Sequence, residues 1–203
     1  MTPPLFIALE GIDGSGTTTQ LDRLAAHLRG SNRSVLSTRE PSVGPIGRLL
    51  RQILVGDHRL PDGTPADGVA VALLFAADRR DHLRREIDPA LAAGQDVICD
   101  RYLLSSLAYQ ADEADAAWVA SLARDLREPD LTLLLDLPVS VAAARRHAAG
   151  RIDERYDADA VQERVAARYR ALVADNPRAV VIDASASLDD VTRAVAAAVD
   201  KLL

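Results

Sequence analysis

The sequence predicts an α/β fold: a five-stranded parallel sheet with helices on both faces. Three observations lead there. Short apolar runs alternate with longer stretches of helical periodicity along the 203 residues, the pattern of strands covered on both sides by crossover helices. The first run stops at a glycine-rich segment that opens a helix. Polar residues gather where the apolar runs end, which is the edge at which such sheets bind ligands.

Taken in order, residues 5–9 read as a buried strand and residues 10–16 as its turn. Residues 17–29 follow with Leu21, Leu24, Ala25 and Leu28 on one helical stripe. Residues 35–38 form a second strand ending at Arg39-Glu40-Pro41, and residues 46–55 a helix. Residues 56–68 carry three glycines and two prolines and read as a surface crossover. Residues 69–91 read as one long helix or two joined ones, with Phe75 and a charged stretch from Asp78 to Asp88. Residues 96–100 and 131–136 are the third and fourth strands, each closing on an aspartate. Helices over 139–148 and 159–174 flank an arginine-rich segment, and 179–183 is the fifth strand. Leu188, Val191, Val195, Val199 and Leu202 place a stripe on a last helix. With no repeat or low-complexity linker, one domain over 1–203 is expected.

The charge balance narrows the partners. The 24 basic and 30 acidic residues give a net charge of −6, which disfavours general binding to nucleic acid or a membrane surface. Any anion site is therefore built locally. Lys201 is the only lysine, so that site has to rely on arginine, whose guanidinium binds phosphate as a fork. Cys99 is the only cysteine, which excludes an intramolecular disulfide and fits a reducing cytoplasm. No charged-then-apolar leader opens the sequence and no apolar run reaches membrane-spanning length. A cytoplasmic protein is expected.

Gly11-Ile12-Asp13-Gly14-Ser15-Gly16-Thr17-Thr18 matches the phosphate-loop pattern G-x-x-x-x-G-K-[ST] except at Thr17. The glycines let backbone N–H groups converge on phosphate oxygens, and the following helix adds its positive end. Thr18 stands where a hydroxyl meets Mg²⁺. A glycine-rich turn without ligand is the bland alternative, disfavoured by the strand before and the helix after. The fold expectation sharpens to a P-loop NTPase-like sheet. Loss of the lysine has a large expected effect: a cation at a phosphoryl-transfer centre contributes about 10³–10⁵ in rate, or roughly 4–7 kcal/mol. Either the chain does not catalyse or an arginine takes over.

Five segments in order, FIALEGIDGSGTTTQ (6–20), TREP (38–41), LFAADR (74–79), DRYLLSSLAYQ (100–110) and DLTLLLDLP (130–138), resemble thymidylate kinase. The resemblance spans essentially the whole chain, with Thr17 its main departure. It implies ATP as phosphoryl donor, dTMP as acceptor, Mg²⁺ and a homodimer. It also implies that Asp13 contacts the deoxyribose 3′-hydroxyl and the reacting phosphates, and that Arg39 and Arg101 hold the acceptor phosphate. Phe75 would stack on thymine, Arg79 would hydrogen-bond its carbonyl edge, and Ser105, Tyr109 and Gln110 would complete the pocket. A cis peptide before Pro41 is a further implication.

The residue chemistry fits these roles. An arginine pair binds a dianionic phosphate through two forks. Stacking on Phe75 tolerates any base, so a donor such as Arg79 has to read the edge. Phe75 as core packing, and Arg79 and Arg101 as surface ion-pair members, are the plainer readings. Asp100 ends a strand beside the phosphate loop, the place of a carboxylate that holds Mg²⁺ directly or through water, with Thr18 as its companion. A strand-end cap is the plainer reading there. Cys99 reads as a small core residue, and the four histidines show no metal-ligand spacing.

Arg145, Arg146, Arg151 and Arg155 crowd one segment, which the resemblance makes a lid over ATP spanning about residues 145–158. A solvated helix end is the plainer alternative. With Thr17 in the loop, Arg151 or Arg155 is expected on the β- and γ-phosphates and Arg145 or Arg146 nearer the adenine. Two rival functions stand beside ATP:dTMP phosphotransfer in dTTP synthesis. A deoxynucleoside kinase needs a carboxylate base for a sugar hydroxyl and has little use for Arg39 and Arg101. A non-catalytic nucleotide-binding module would account for Thr17 but not for Asp13, Thr18 and Asp100. dUMP is a further acceptor to compare with dTMP.

Overall fold

The structure, a computed structural model, describes residues 3–57, 62–150 and 154–203. Its sheet is five-stranded and parallel, in the order β2-β3-β1-β4-β5. The strands are β1 (Phe6–Glu10), β2 (Val35–Arg39), β3 (Asp96–Asp100), β4 (Leu131–Asp136) and β5 (Ala179–Asp183). All five stand within about a residue of the expected runs. Strand alternation divides the core. Ile7 and Leu9 point into the larger cluster, which the sheet shares with α1 (Thr17–Gly30), α8 (Asp159–Val173) and α9 (Leu188–Asp200). Phe6 and Ala8 face the other side, where Leu83, Ile87, Ala90 and Tyr102 cover them.

Local chemistry explains most helix starts. Pro45 occupies the first turn of α2 (Pro45–Leu54), where a missing N–H costs nothing. Asp67 caps α3 (Gly68–His82) by accepting from the Ala70 N–H at 3.0 Å. The long helical stretch is α3 joined to α4 (Asp88–Ala92) through a π-helical turn, Leu83–Ile87. Pro89 gives the reason. It cannot donate to the carbonyl four residues back and its ring crowds that carbonyl, so the preceding turn widens. Between β3 and β4 the chain forms α5 (Leu103–Tyr109), a 3₁₀ turn at Gln110–Asp112 and α6 (Ala116–Ser121), elements too short for periodicity to mark. The helix α7 (Val139–Ala148) follows β4. No described helix is long and apolar enough to cross a membrane.

The helix α1 starts without a side-chain cap, as do α2, α5, α7 and α8. Its N-cap is Gly16, left-handed at φ 96°, with no side-chain cap. The first N–H groups of α1 therefore have no capping side chain and lie at the carboxyl edge of the sheet, an arrangement suited to an anion.

Candidate active site

A cavity of about 940 Å³ lies over the carboxyl ends of β1, β2 and β3. The phosphate loop forms its floor. Gly14 is at φ 91°, and a Cβ there would lie 2.5 Å from the Ala142 carbonyl and 3.2 Å from Arg146 Cγ. Only glycine lets α7 pack this closely. The Gly11 carbonyl accepts from Arg101 Nη1 at 2.8 Å, and the Ser15 N–H donates to the Ile12 carbonyl at 3.0 Å. Ser15 Oγ is buried without a hydrogen-bond partner among the described residues. Gly16, Thr17 and Thr18 line the cavity. Thr17 is buried at the lysine position.

Thr18 Oγ1 donates to Asp100 Oδ2 at 2.6 Å, while Asp100 Oδ1 is buried with no hydrogen-bond partner among the described residues. That leaves an unsatisfied carboxylate oxygen beside a hydroxyl, at the edge of the phosphate loop. The pair fits Mg²⁺, which takes one or two protein oxygens and completes its shell with phosphate and water. No described cluster of three or more His, Cys, Asp or Glu could hold a metal by itself.

Asp13 is the centre of a hydrogen-bond network. Its Oδ1 accepts from Arg101 Nη2 at 2.8 Å, and its Oδ2 accepts from Tyr109 OH and Gln162 Nε2, both at 3.1 Å. Gln162 is fully buried and meets Asp13 twice, because its Oε1 also accepts the Asp13 N–H at 3.2 Å. Arg101 itself sits at φ 66°, a left-handed conformation costing about 1–2 kcal/mol for a side chain with a Cβ. The fork to Gly11 and Asp13, and the Tyr109 ring 5.2 Å from its guanidinium carbon, hold it there.

Glu10 fixes the next turn. It is fully buried and accepts from the N–H groups of Tyr102 and Ser105 and from the hydroxyls of Ser105 and Tyr169. Burial pushes its pKa up, against the lowering effect of these donors and of Arg101. Ser105 Oγ is thus engaged with Glu10 at 2.6 Å, at the cavity wall.

The acceptor side is formed by α3 and the end of β2. Phe75 is half-buried, packed against the larger core cluster with part of its surface on the cavity. Arg79 is 3% exposed: Nε donates to Glu40 Oε2 at 2.9 Å, and Nη2 to Ser106 Oγ at 2.7 Å and the Tyr102 carbonyl at 3.2 Å. Arg79 is therefore in an ion pair, but a buried one with Glu40 and not the surface pair of the plainer reading. Its Nη1 makes no hydrogen bond among the described residues, and Arg79 lines the cavity. Arg39 lines it too, exposed and without a side-chain partner among those residues. Tyr109 and Gln110 complete this wall. The Glu40–Pro41 peptide is cis, as the resemblance implies.

The four arginines of the expected lid differ. Arg145 is exposed at the cavity without a side-chain partner among the described residues. Arg146 is 6% exposed and structural in its contacts: Nη1 donates to the Asp13 carbonyl at 2.8 Å and Nη2 to the Asp157 carbonyl at 3.2 Å. It braces the phosphate loop from below. Arg151 lies outside the described residues. Arg155 is not on the cavity wall; its guanidinium is bound to Glu113. Periodicity and motif reading missed Glu10, Gln162 and Glu113, and quoted Glu40 without giving it a role.

The comparisons with known proteins agree with this geometry. The family model for thymidylate kinase matches residues 9–195. The chain belongs to the thymidylate kinase family. It is 41% identical over 187 residues to a probable thymidylate kinase of Pyrococcus horikoshii, covering 92% of this chain and 91% of that one. It is 42% identical over 207 residues to the thymidylate kinase of Thermomicrobium roseum, covering 98% and 95%. The thymidylate kinase of Caulobacter vibrioides is 41% identical over 208 residues, covering 96% and 95%. Kinase chemistry, nucleotide binding and a P-loop fold follow from that membership.

Proposed function

We propose that this chain, as one domain, transfers the γ-phosphoryl group of ATP to dTMP, giving dTDP for dTTP synthesis. One juxtaposition carries the reading. The phosphate loop, the Thr18–Asp100 pair, Arg39 and Arg101 share a cavity with Phe75 and Arg79. Donor, metal, acceptor phosphate and base therefore have contiguous places.

The acceptor nucleophile is a phosphate oxygen, mostly ionised near neutrality because its second pKa is about 6. No strong general base is needed. Arg39 and Arg101 neutralise that phosphate and aim it in line, Asp13 binds the 3′-hydroxyl, Phe75 stacks on thymine and Arg79 Nη1 reads its edge. Bound at Thr18 and Asp100, Mg²⁺ would supply charge neutralisation between the transferred and leaving phosphates. Thr17 brings no cation, so an arginine of the segment over the donor would replace it, with Arg145 towards the adenine. Arg146 keeps the loop in shape. A cytoplasmic location and a homodimer complete the reading. Exposed Leu49 on α2, and Val69 and Leu73 one turn apart on α3, support self-association.

A coupled ADP-release assay with ATP, Mg²⁺ and each nucleoside monophosphate tests the proposal. Turnover with dTMP exceeding that with dUMP and with thymidine is the expected result. No turnover with dTMP at micromolar enzyme overturns it, and preference for thymidine would make the protein a nucleoside kinase.

A further inference from the structure

Arg155 lies between two residues of the cavity wall, Glu154 and Tyr156, yet its own side chain leaves that wall. It is clamped instead. Nε lies 3.0 and 3.1 Å from the two Glu113 carboxylate oxygens, and Nη2 lies 3.0 Å from Oε1. The Arg155 side chain is only 12% exposed in this pairing. Tyr156 OH donates to Glu113 Oε2 at 3.0 Å, and the Arg155 guanidinium carbon lies 5.9 Å from the Tyr156 ring centroid. The Arg155 N–H donates to the Leu54 carbonyl at the end of α2.

Glu113 is itself held in place. Its N–H donates to the Gln110 carbonyl at 3.1 Å, and a Cβ on Gly68 would lie 2.5 Å from the Glu113 Cβ. The carboxylate is thus anchored to the acceptor side of the cavity, at the start of α3 and the end of α5. A carboxylate and a phosphate present the same paired-oxygen geometry to a guanidinium fork. They compete for it.

We infer that Glu113 is a positioning residue that withholds Arg155 from the donor phosphates, so that ATP gains this cation only by displacing a carboxylate. The inference rests on the phosphotransfer reading above and deepens it: the cation missing at Thr17 is present but held in reserve. Donor affinity then includes the cost of breaking the Glu113 fork. Removing the Glu113 charge favours the donor-bound arrangement.

Steady-state kinetics of Glu113→Gln, Arg155→Ala and the double variant test this, with melting temperatures as the control for folding. Glu113→Gln lowers KM for ATP by about fivefold, the factor a partly exposed ion pair can contribute, and leaves KM for dTMP unchanged. Arg155→Ala raises KM for ATP or lowers kcat, and adding Glu113→Gln to it changes nothing further. Glu113→Ala serves the same comparison should the glutamine carbonyl retain the arginine. An unchanged or raised KM for ATP in both Glu113 variants, or the same effect with and without Arg155, overturns the inference and makes the pair structural. Failure of the wild type to turn over dTMP would instead overturn the phosphotransfer reading. Calorimetry with Mg²⁺ and a non-hydrolysable ATP analogue then decides about Glu113: tighter binding by Glu113→Gln that requires Arg155 supports the inference, and unchanged binding sinks it.

Discussion

Asp13 shows what one residue needs from its neighbours. A carboxylate beside reacting phosphates has to be fixed in direction, because displacement of a reacting group by about 1 Å costs on the order of 10²-fold in rate. Gln162 fixes it from both backbone and side chain. Gln162→Leu is therefore expected to lower kcat/KM for dTMP by about tenfold to a hundredfold, with a smaller effect on KM for ATP. Gln162→Glu separates positioning from packing. Ionised, it repels Asp13; protonated, it can again donate to it, so its activity relative to wild type rises as pH falls. A flat ratio from pH 8 to 6 would sink the idea. Asp13, Arg101 and Thr18 were legible in the sequence because loop spacing and the DRY segment mark them. Gln162 was not: its partner is 149 positions away, and a glutamine inside an amphipathic helix carries no local signal. The pairing of Arg155 with Glu113, 42 positions away, was hidden likewise, although Arg155 itself stands out in its arginine-rich segment.

At the scale of elements, the strands were readable because a parallel sheet buried on both faces leaves continuous apolar runs. The region around α5 and α6 was not, since short helices give too few turns for a periodic stripe. There Asp112, at the end of the 3₁₀ turn, accepts from Arg164 and Arg168 of α8. Hydrogen bonds from Arg164, then Arg168, outweigh the opposing effect of burial and hold its pKa down at about 2 against 3.8. Because the folded pKa is depressed, the stabilisation is present above pH 3.8 and is lost as pH falls towards 2. Asp112→Asn should lose roughly 1 kcal/mol at pH 7, the scale of exposed arginine pairs, and show a shallower acid-side decline. Urea midpoints at pH 7, 4 and 3 check both. The start of α1 gives a second expectation. Thr17→Lys should raise kcat and blunt the loss caused by Arg155→Ala, as measured by kinetics of the single and double variants. Additive effects would place the compensating cation elsewhere, at Arg39 or Arg101.

For the whole molecule, the apolar side chains exposed on α2 and α3 are the element of the assembly reading that can be tested. Leu73 is 49% exposed and Val69 41%. If this face pairs two copies, sedimentation will show a dimer at micromolar concentration, and Leu73→Arg will shift it towards monomer with the fold retained. A wild type that sediments as a monomer ends that reading. The sequence reached the expectation only through resemblance, since one chain's periodicity cannot distinguish a face covered by its own helices from one covered by a neighbour's.

Thr17 and the arginine-built cavity also determine how the protein responds to chemical modification. Lys201, at the end of α9, is the only lysine, so amine-directed acylation will find no side chain to modify in the site and should leave turnover intact. Dicarbonyl reagents, which derivatise guanidinium groups, should abolish it, with ATP and dTMP protecting. A guanidinium group keeps its charge throughout an ordinary rate profile. Any acid limb in the protein's rate profile then belongs to the carboxylates or to the incoming nucleotide.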